Sequence, residues 1–243
     1  MTLEEAEKIV MEKLVYYAAV MTKLGFVDGF VAGAVHTTSD VARSAIQCLR
    51  LDREIGTVSS AFIMEMKDCP YGEHGLFAYG DCGIIPYPSV RQLSGIAIST
   101  SDMYRQLFGI EPRVAMLSYS TKGSAKATET IDTVLKALER VKEKRPKMII
   151  DGELQLDAAI VPEIAARKCP DSKVGGKANV LIFPNLDAGN ISYKLSQRLG
   201  HAEAVGPIIL GLDKPCSDLS RGSDWREIVN TTVVTAIRAQ QER

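Results

Sequence analysis

The sequence predicts an α/β fold with helices on both faces of a mixed sheet, and three observations point there. Runs with strand character alternate with runs of helical period along most of the chain. Two strand-like runs, Thr57 to Met66 and Leu76 to Ile85, flank the turn-rich Asp68-Cys69-Pro70-Tyr71-Gly72, which places a hairpin inside the parallel pattern. The chain has 243 residues, 46% apolar and 24% charged with net charge −1, enough to bury a substantial core without staples. The same figures exclude a disordered chain, a collagen-like chain and a strongly basic nucleic-acid binder.

Thr2 and Glu5 form a capping box, and Leu3, Ala6, Val10, Leu14, Tyr17, Met21 and Leu24 follow at steps of three and four, so one helix runs to Gly25. Phe26 to Val35 reads as a buried strand, after which Thr37, Thr38 and Ser39 offer N-caps for a helix reaching about Leu51. Beyond the hairpin comes a helix from Ser89 to Phe108, with Leu93, Ile96, Thr100, Met103 and Leu107 on one face, then a strand at Val114 to Tyr119. Alternation continues with helices at about Ala125 to Glu143, Leu156 to Arg167 and Ala188 to Leu199. Strands are expected at Met148 to Asp151, Val180 to Phe183 and Val205 to Leu210, and a closing helix at Ser223 to Gln241.

Five scattered cysteines without a C-x-x-C pair read as reduced thiols, and the three histidines lie far apart, so no structural metal is expected. Glu4, Glu5, Glu7 and Glu12 are incompatible with a signal peptide, and the longest nearly apolar run, Ala204 to Leu212, is about half a membrane span. A soluble cytoplasmic protein with neither membrane nor nucleic-acid partner is expected.

In such folds ligands bind where strand ends feed helix N-termini. Four loops rich in hydroxyls, amides or glycine fit: Gly33 to Thr38, Ser118 to Ser124, Phe183 to Asn190 and Asp218 to Ser223. Helix capping accounts for any one of them, but four together suggest a ligand. Arg43, expected in the first turn of its helix, and Arg221, just before another, stand where the helix dipole disfavours a cation, and an anion between them would reverse that penalty. Neither a P-loop nor G-x-G-x-x-G spacing is present, which disfavours a nucleotide triphosphatase or a nicotinamide dehydrogenase. Glu227 follows Ser220 by seven residues, two turns into the closing helix, where it could serve as a base beside Arg221. No G-x-S-x-G elbow surrounds Ser220, so a serine hydrolase is disfavoured.

Asp28 to Thr38, Arg113 to Thr121, Asp151 to Gln155, Phe183 to Asn190 and Leu219-Ser220-Arg221-Gly222 together resemble the phosphate acetyltransferase branch of the phosphate acetyl/butyryltransferase family, over essentially the whole chain. The resemblance implies two α/β domains of the isocitrate/isopropylmalate dehydrogenase-like type with a cleft between them. Domain I would combine 1–52 with 208–243, and domain II would be 53–207. It implies reversible acetyl transfer between coenzyme A and inorganic phosphate, with coenzyme A or acetyl-CoA as substrate, no permanently bound cofactor, no metal, and a homodimer. By resemblance Arg43 and Arg221 hold the phosphoryl group, Arg221 also stabilises the oxyanion, Ser220 hydrogen-bonds the sulfur or the acyl group, and Glu227 deprotonates the thiol. The family commonly has aspartate at the position of Glu227. His36, Thr37, Thr38, Ser118, Ser120, Thr121 and Asn190 would line the cleft.

Family chains extend upstream of the point matched by Met1-Thr2-Leu3, with further βα units and another phosphate-binding arginine, so domain I is expected to be N-terminally incomplete and its open sheet to favour association. Two alternatives stand beside the acetyltransferase. One is a non-catalytic acetyl-CoA-binding regulatory module, like the transferase-like region fused to some malic enzymes; the other is a phosphate butyryltransferase. The retained Ser220, Arg221 and acidic Glu227 favour the enzyme.

Overall fold

Near-continuous apolar strands need cover on both faces, and the computed structural model, which describes residues 2–241, meets that need with one eight-stranded mixed sheet between helical layers. The strands are β1 (Phe30–Ala32), β2 (Ser59–Glu65), β3 (Leu76–Gly80), β4 (Val114–Leu117), β5 (Ile150–Leu154), β6 (Val180–Ile182), β7 (Glu203–Leu210) and β8 (Cys216–Asp218). Their order across the sheet is β1-β8-β7-β2-β3-β6-β4-β5. Parallel pairs occupy both ends, and the antiparallel hairpin β2–β3 with β7 forms the middle. The predicted hairpin is one of three antiparallel pairs, with β2–β7 and β7–β8, that make the sheet mixed.

The helices are α1 (Leu3–Glu12), α2 (Leu14–Leu24), α3 (Thr38–Cys48), α4 (Val90–Phe108), α5 (Glu129–Lys144), α6 (Leu156–Ile160), α7 (Pro162–Lys168), α8 (Leu186–Arg198) and α9 (Trp225–Gln241). Period-two alternation divides each central strand between two cores. Ala61, Ile63, Val114, Met116, Val180 and Ile182 pack under α4 and α5, while Phe62, Met64, Ala115, Leu117 and Leu181 belong to a second cluster on the other face, with Phe62 against Tyr193 of α8 and small residues of α6 and α7 in the same cluster. A third cluster joins Val15, Tyr16 and Ala19 of α2 to Val41 and Ala45 of α3 over Phe30, Ile209 and Cys216. On β8, Ser217 faces α9, where its hydroxyl meets that of Thr235 at 2.7 Å.

Three expectations are corrected. The first helix breaks at Lys13, whose backbone is extended, and the buried stripe of α2 is Val15, Tyr16, Ala19 and Thr22, while Leu14, Tyr17 and Leu24 are exposed. The helix expected over 156–167 is two, because Pro162 forces Val161 out of the helical region and opens α7 at its first position. The strand β8 was not anticipated: three residues carry too little periodicity to register, and its pairing with β1 and β7 makes it a strand. All five cysteines are free thiols, and among the described residues no helix is long and apolar enough to cross a membrane.

Candidate active site

A cleft of about 420 Å³ opens beside the end of β8 and the first half of β7. It is lined by the segment Leu219 to Gly222 with His36, Thr38 and Glu227, by Asn190, Tyr193, Lys194, Gln197 and Arg198 of α8, and by Phe62, Cys82, Gly83, Ala204, Gly206 and Pro207. Of the residues nominated from sequence, Ser220, Arg221, Glu227, His36, Thr38 and Asn190 meet here.

Pairing of β1 with β8 brings the first two loops together. The strands run in parallel with Ala32 opposite Asp218, and the Leu219 amide donates to the Ala32 carbonyl at 2.7 Å. The loops after both strands therefore leave side by side. Thr37 caps α3 through a capping box with Asp40, and hydrogen bonds from Thr37 hold the Asp40 carboxyl below its usual range. Ser220 is exposed, and its Oγ accepts from the Gly222 amide at 3.3 Å. Asp224 accepts from the Arg226 and Glu227 amides, so α9 begins at Trp225. Glu227 thus lies in the first turn of α9 rather than the second, among the helix's free N–H groups.

Arg43 is also displaced from its expected place. With α3 beginning at Thr38 it sits in the second turn, exposed, and lines a shallow groove that meets the cleft at Thr38 and Gly83. The structure does not bring Ser118, Ser120 and Thr121 to this cleft. They follow β4, five strand spacings from β8, on the order of 24 Å along the sheet. There the Ser120 hydroxyl donates to Glu153 at 2.9 Å, the Thr121 hydroxyl lies 3.3 Å from Gln155, and Lys122 pairs with Asp151 at 2.5 Å. Asn190 follows β6 yet reaches the cleft because α8, about 20 Å long, runs back across β3 and β2.

The sequence reading gave no role to two aspartates, although Asp218 opens one of the four candidate loops. Buried Asp81 accepts hydrogen bonds from the Ser60 amide and hydroxyl and from the Gly83, Ile84 and Ile85 amides, which fixes the Cys82–Gly83 floor. Burial pushes the Cys82 thiol well above its ordinary range, which leaves it a poor nucleophile. Asp218 is fully buried behind Ser220, and neither carboxylate oxygen has a hydrogen-bond partner among the described residues; the Thr38 side chain and the Leu219 amide face it. Only a lone acid preceding a Ser-Arg pair marks it in sequence.

Burial raises the Asp218 carboxyl to about 6 from 3.8. The folded state then holds this proton more tightly than the unfolded state, so the stabilisation is full below about 3.8 and is lost as pH rises through about 6. The difference corresponds to about 3 kcal/mol. Asp218→Asn is expected to melt roughly 5 °C or more above the parent at pH 8 and level with it near pH 4. A melting difference independent of pH would overturn this account.

Among the described residues no group of three or more His, Cys, Asp or Glu could hold a metal ion. The family model for phosphate acetyl/butaryl transferase matches residues 1–236. A phosphate acetyltransferase of Acetivibrio thermocellus is 52% identical over 240 residues, covering 99% of this chain and 72% of that protein. A phosphotransacetylase structure from Streptococcus pyogenes superposes with a TM-score of 0.92 at 42% identity, covering 99% of this chain and 71% of that one. A 4-hydroxythreonine-4-phosphate dehydrogenase from Klebsiella pneumoniae, at 11% identity and a TM-score of 0.53 over 93% of this chain and 69% of that one, shares the fold alone. The chain belongs to the phosphate acetyl/butaryl transferase family.

Proposed function

We propose that this chain is a phosphate acetyltransferase that moves an acetyl group reversibly between coenzyme A and inorganic phosphate. The observation that carries the reading is the convergence of Ser220, Arg221 and Glu227 on one cleft, together with relatives named for this activity. Glu227 takes the thiol proton, and the thiolate attacks the acetyl carbon of acetyl phosphate. A carbon–sulfur bond forms, the bond from the acetyl carbon to the bridging oxygen breaks, and phosphate leaves to accept the proton. Arg221 faces the oxyanion that develops on the carbonyl, Ser220 donates to the sulfur or the acyl oxygen, and Arg43 with Arg221 holds the phosphoryl group.

The wall contributed by His36, Thr38 and the Ser220 loop belongs to 1–52 and 208–243, and the α8 wall to 53–207. A two-domain division at those boundaries would let the cleft close on its substrates. A homodimer in the cytoplasm completes the reading, with exposed Ile191, Leu195 and Leu199 as an apolar stripe available for self-association.

Thioester formation from acetyl phosphate and coenzyme A by the purified chain tests the activity. Glu227→Gln is expected to slow turnover at pH 7 by about 10²-fold, with recovery as the pH approaches the thiol's own value near 8.5. Binding of coenzyme A by the unaltered chain without turnover would overturn the enzyme in favour of a binding module. A flat ratio of variant to parent from pH 6.5 to 9 would remove Glu227 as the base.

A further inference from the structure

Between the two loops that follow β1 and β8 lies a carboxylate that the chemistry above does not use. Side chains alternate along β8: Cys216 joins the cluster under α2 and α3, Ser217 faces α9, and Asp218 turns back under α3, which packs on this strand. Asp218 is fully buried where β1 and β8 end together, opposite Ala32. Gly33 rests on it so closely that a Cβ there would stand 2.1 Å from Oδ1. A carboxylate in such a place is costly unless donors close on it, yet neither oxygen has a hydrogen-bond partner among the described residues. The side chain that faces it is Thr38, which is half-buried and also lines the cleft.

A hydroxyl has one proton to donate, so a neighbour that claims it leaves only lone pairs for a ligand. An ionised Asp218 can only accept; Thr38 Oγ1 must then donate to it and turn lone pairs to the cleft. A protonated Asp218 donates instead, Thr38 Oγ1 accepts, and the Thr38 proton is free for an anion. A buried negative charge behind the cleft also opposes an anion, so both effects have the same sign. The titratable or charged groups on the elements around Asp218 are His36 in the turn after β1, Asp40 and Arg43 on α3, Arg221 and Asp224 after β8, and Glu227 on α9; β1 and the paired part of β7 bring none. None of these charges governs Asp218: burial does, opposed by Thr38 and the Leu219 amide, and with the carboxyl raised to about 6 both of its forms are accessible near neutrality.

We propose that Asp218 is a positioning residue whose protonation sets the direction of the Thr38 hydroxyl: a donor to an anion in the cleft when Asp218 is protonated, an acceptor when it is ionised. This rests on the transferase reading above, which supplies the anion. By linkage a bound oxyanion draws a proton onto Asp218, and affinity for it falls as rising pH removes that proton.

Sulfate, a tetrahedral oxyanion whose charge is constant near neutrality, is the probe, titrated calorimetrically into the parent and into Asp218→Asn at about pH 5.5 and about pH 8. The variant keeps the fold, since it is expected to melt no lower than the parent, and its amide can donate to Thr38 at every pH. Histidine changes charge in the same range, but His36 is retained in both proteins, so the share of Asp218 is the ratio of parent to variant dissociation constants. That ratio is expected to be near one at the lower pH and about fivefold or more at the higher. The KM for acetyl phosphate should follow the same course, with kcat changed less than about twofold. In a Thr38→Val background the effect of Asp218→Asn should fall by at least half, and in Thr38→Ser it should return. An effect undiminished in Thr38→Val would assign it to buried charge alone and overturn the positioning role. A ratio that does not move with pH would overturn it, as would no binding of sulfate at either pH. If the parent fails to turn over, the transferase reading falls, and the calorimetric comparison still decides this one.

Discussion

Arg221→Ala is expected to lower kcat for thioester formation by about 10² to 10³-fold while leaving the melting temperature unchanged. The second half follows from the environment: Arg221 is exposed and has no carboxylate within 4.0 Å among the described residues, so its removal orphans no buried partner. The first follows from where charge develops. When a thiolate attacks the acetyl carbon, the carbonyl oxygen becomes an oxyanion, and a guanidinium held beside Ser220 gains interaction energy as that charge grows. Arg221→Lys should recover only part of the loss, because an ammonium offers one point charge where a guanidinium offers a planar fork. Steady-state kinetics with saturating coenzyme A and acetyl phosphate, alongside thermal melts, check both halves. A kcat within threefold of the parent would remove Arg221 from the chemistry.

Gly33→Ala is expected to destabilise the fold by about 3 kcal/mol or more and to abolish turnover in whatever folds. Gly33 has φ +120°, a conformation L residues rarely adopt, and a Cβ there would lie 2.1 Å from Asp218 Oδ1 and 2.4 Å from the Leu219 carbonyl oxygen. These are backbone and fully buried neighbours, so they cannot swing aside as a surface side chain would. Relief requires the Gly33–His36 turn to leave the Leu219–Gly222 segment, and that separation undoes the juxtaposition of His36 and Thr38 with Ser220 and Arg221. The urea midpoint and the turnover of the soluble fraction measure the effect. A variant with the parent's midpoint and activity would show that the two loops are independent. The contrast with Arg221→Ala is diagnostic, since one change removes chemistry from an intact fold and the other removes the fold that assembles the chemistry.

Much of the site was legible in the chain. Ser220, Arg221 and Glu227 were singled out by type and spacing and given roles by the family resemblance, and His36, Thr38 and Asn190 were singled out by lying in loops between strands and helices; the structure lines one cleft with all six. Lys194 and Arg198 were not, because a lysine and an arginine one turn apart look like any solvated face until the tertiary structure brings them to line the cleft. Asp81 was equally silent, since a carboxylate that collects five donors from Ser60, Gly83, Ile84 and Ile85 has no local signature. Ser118, Ser120 and Thr121 show the reverse: their composition suits a ligand loop, yet their strand lies far across the sheet and their hydroxyls are engaged with Glu153 and Gln155.

Local physics settled the rest of what could be read in one dimension. Turn residues and helical period placed the hairpin and the helix after Ser89, because both depend on neighbours a few residues apart; the structure adds a capping box there, the Ser89 hydroxyl accepting from the Gln92 amide. Strand order, the three-residue β8, the break at Lys13 and the wall that α8 presents to the cleft depend instead on residues far apart in the chain. Pairing of Ala32 with Asp218 and stacking of Phe62 on Tyr193 are such contacts. Their energies exist only once burial has brought the partners together, which is why the tertiary structure, and no stretch of sequence, decided which charges share the cleft.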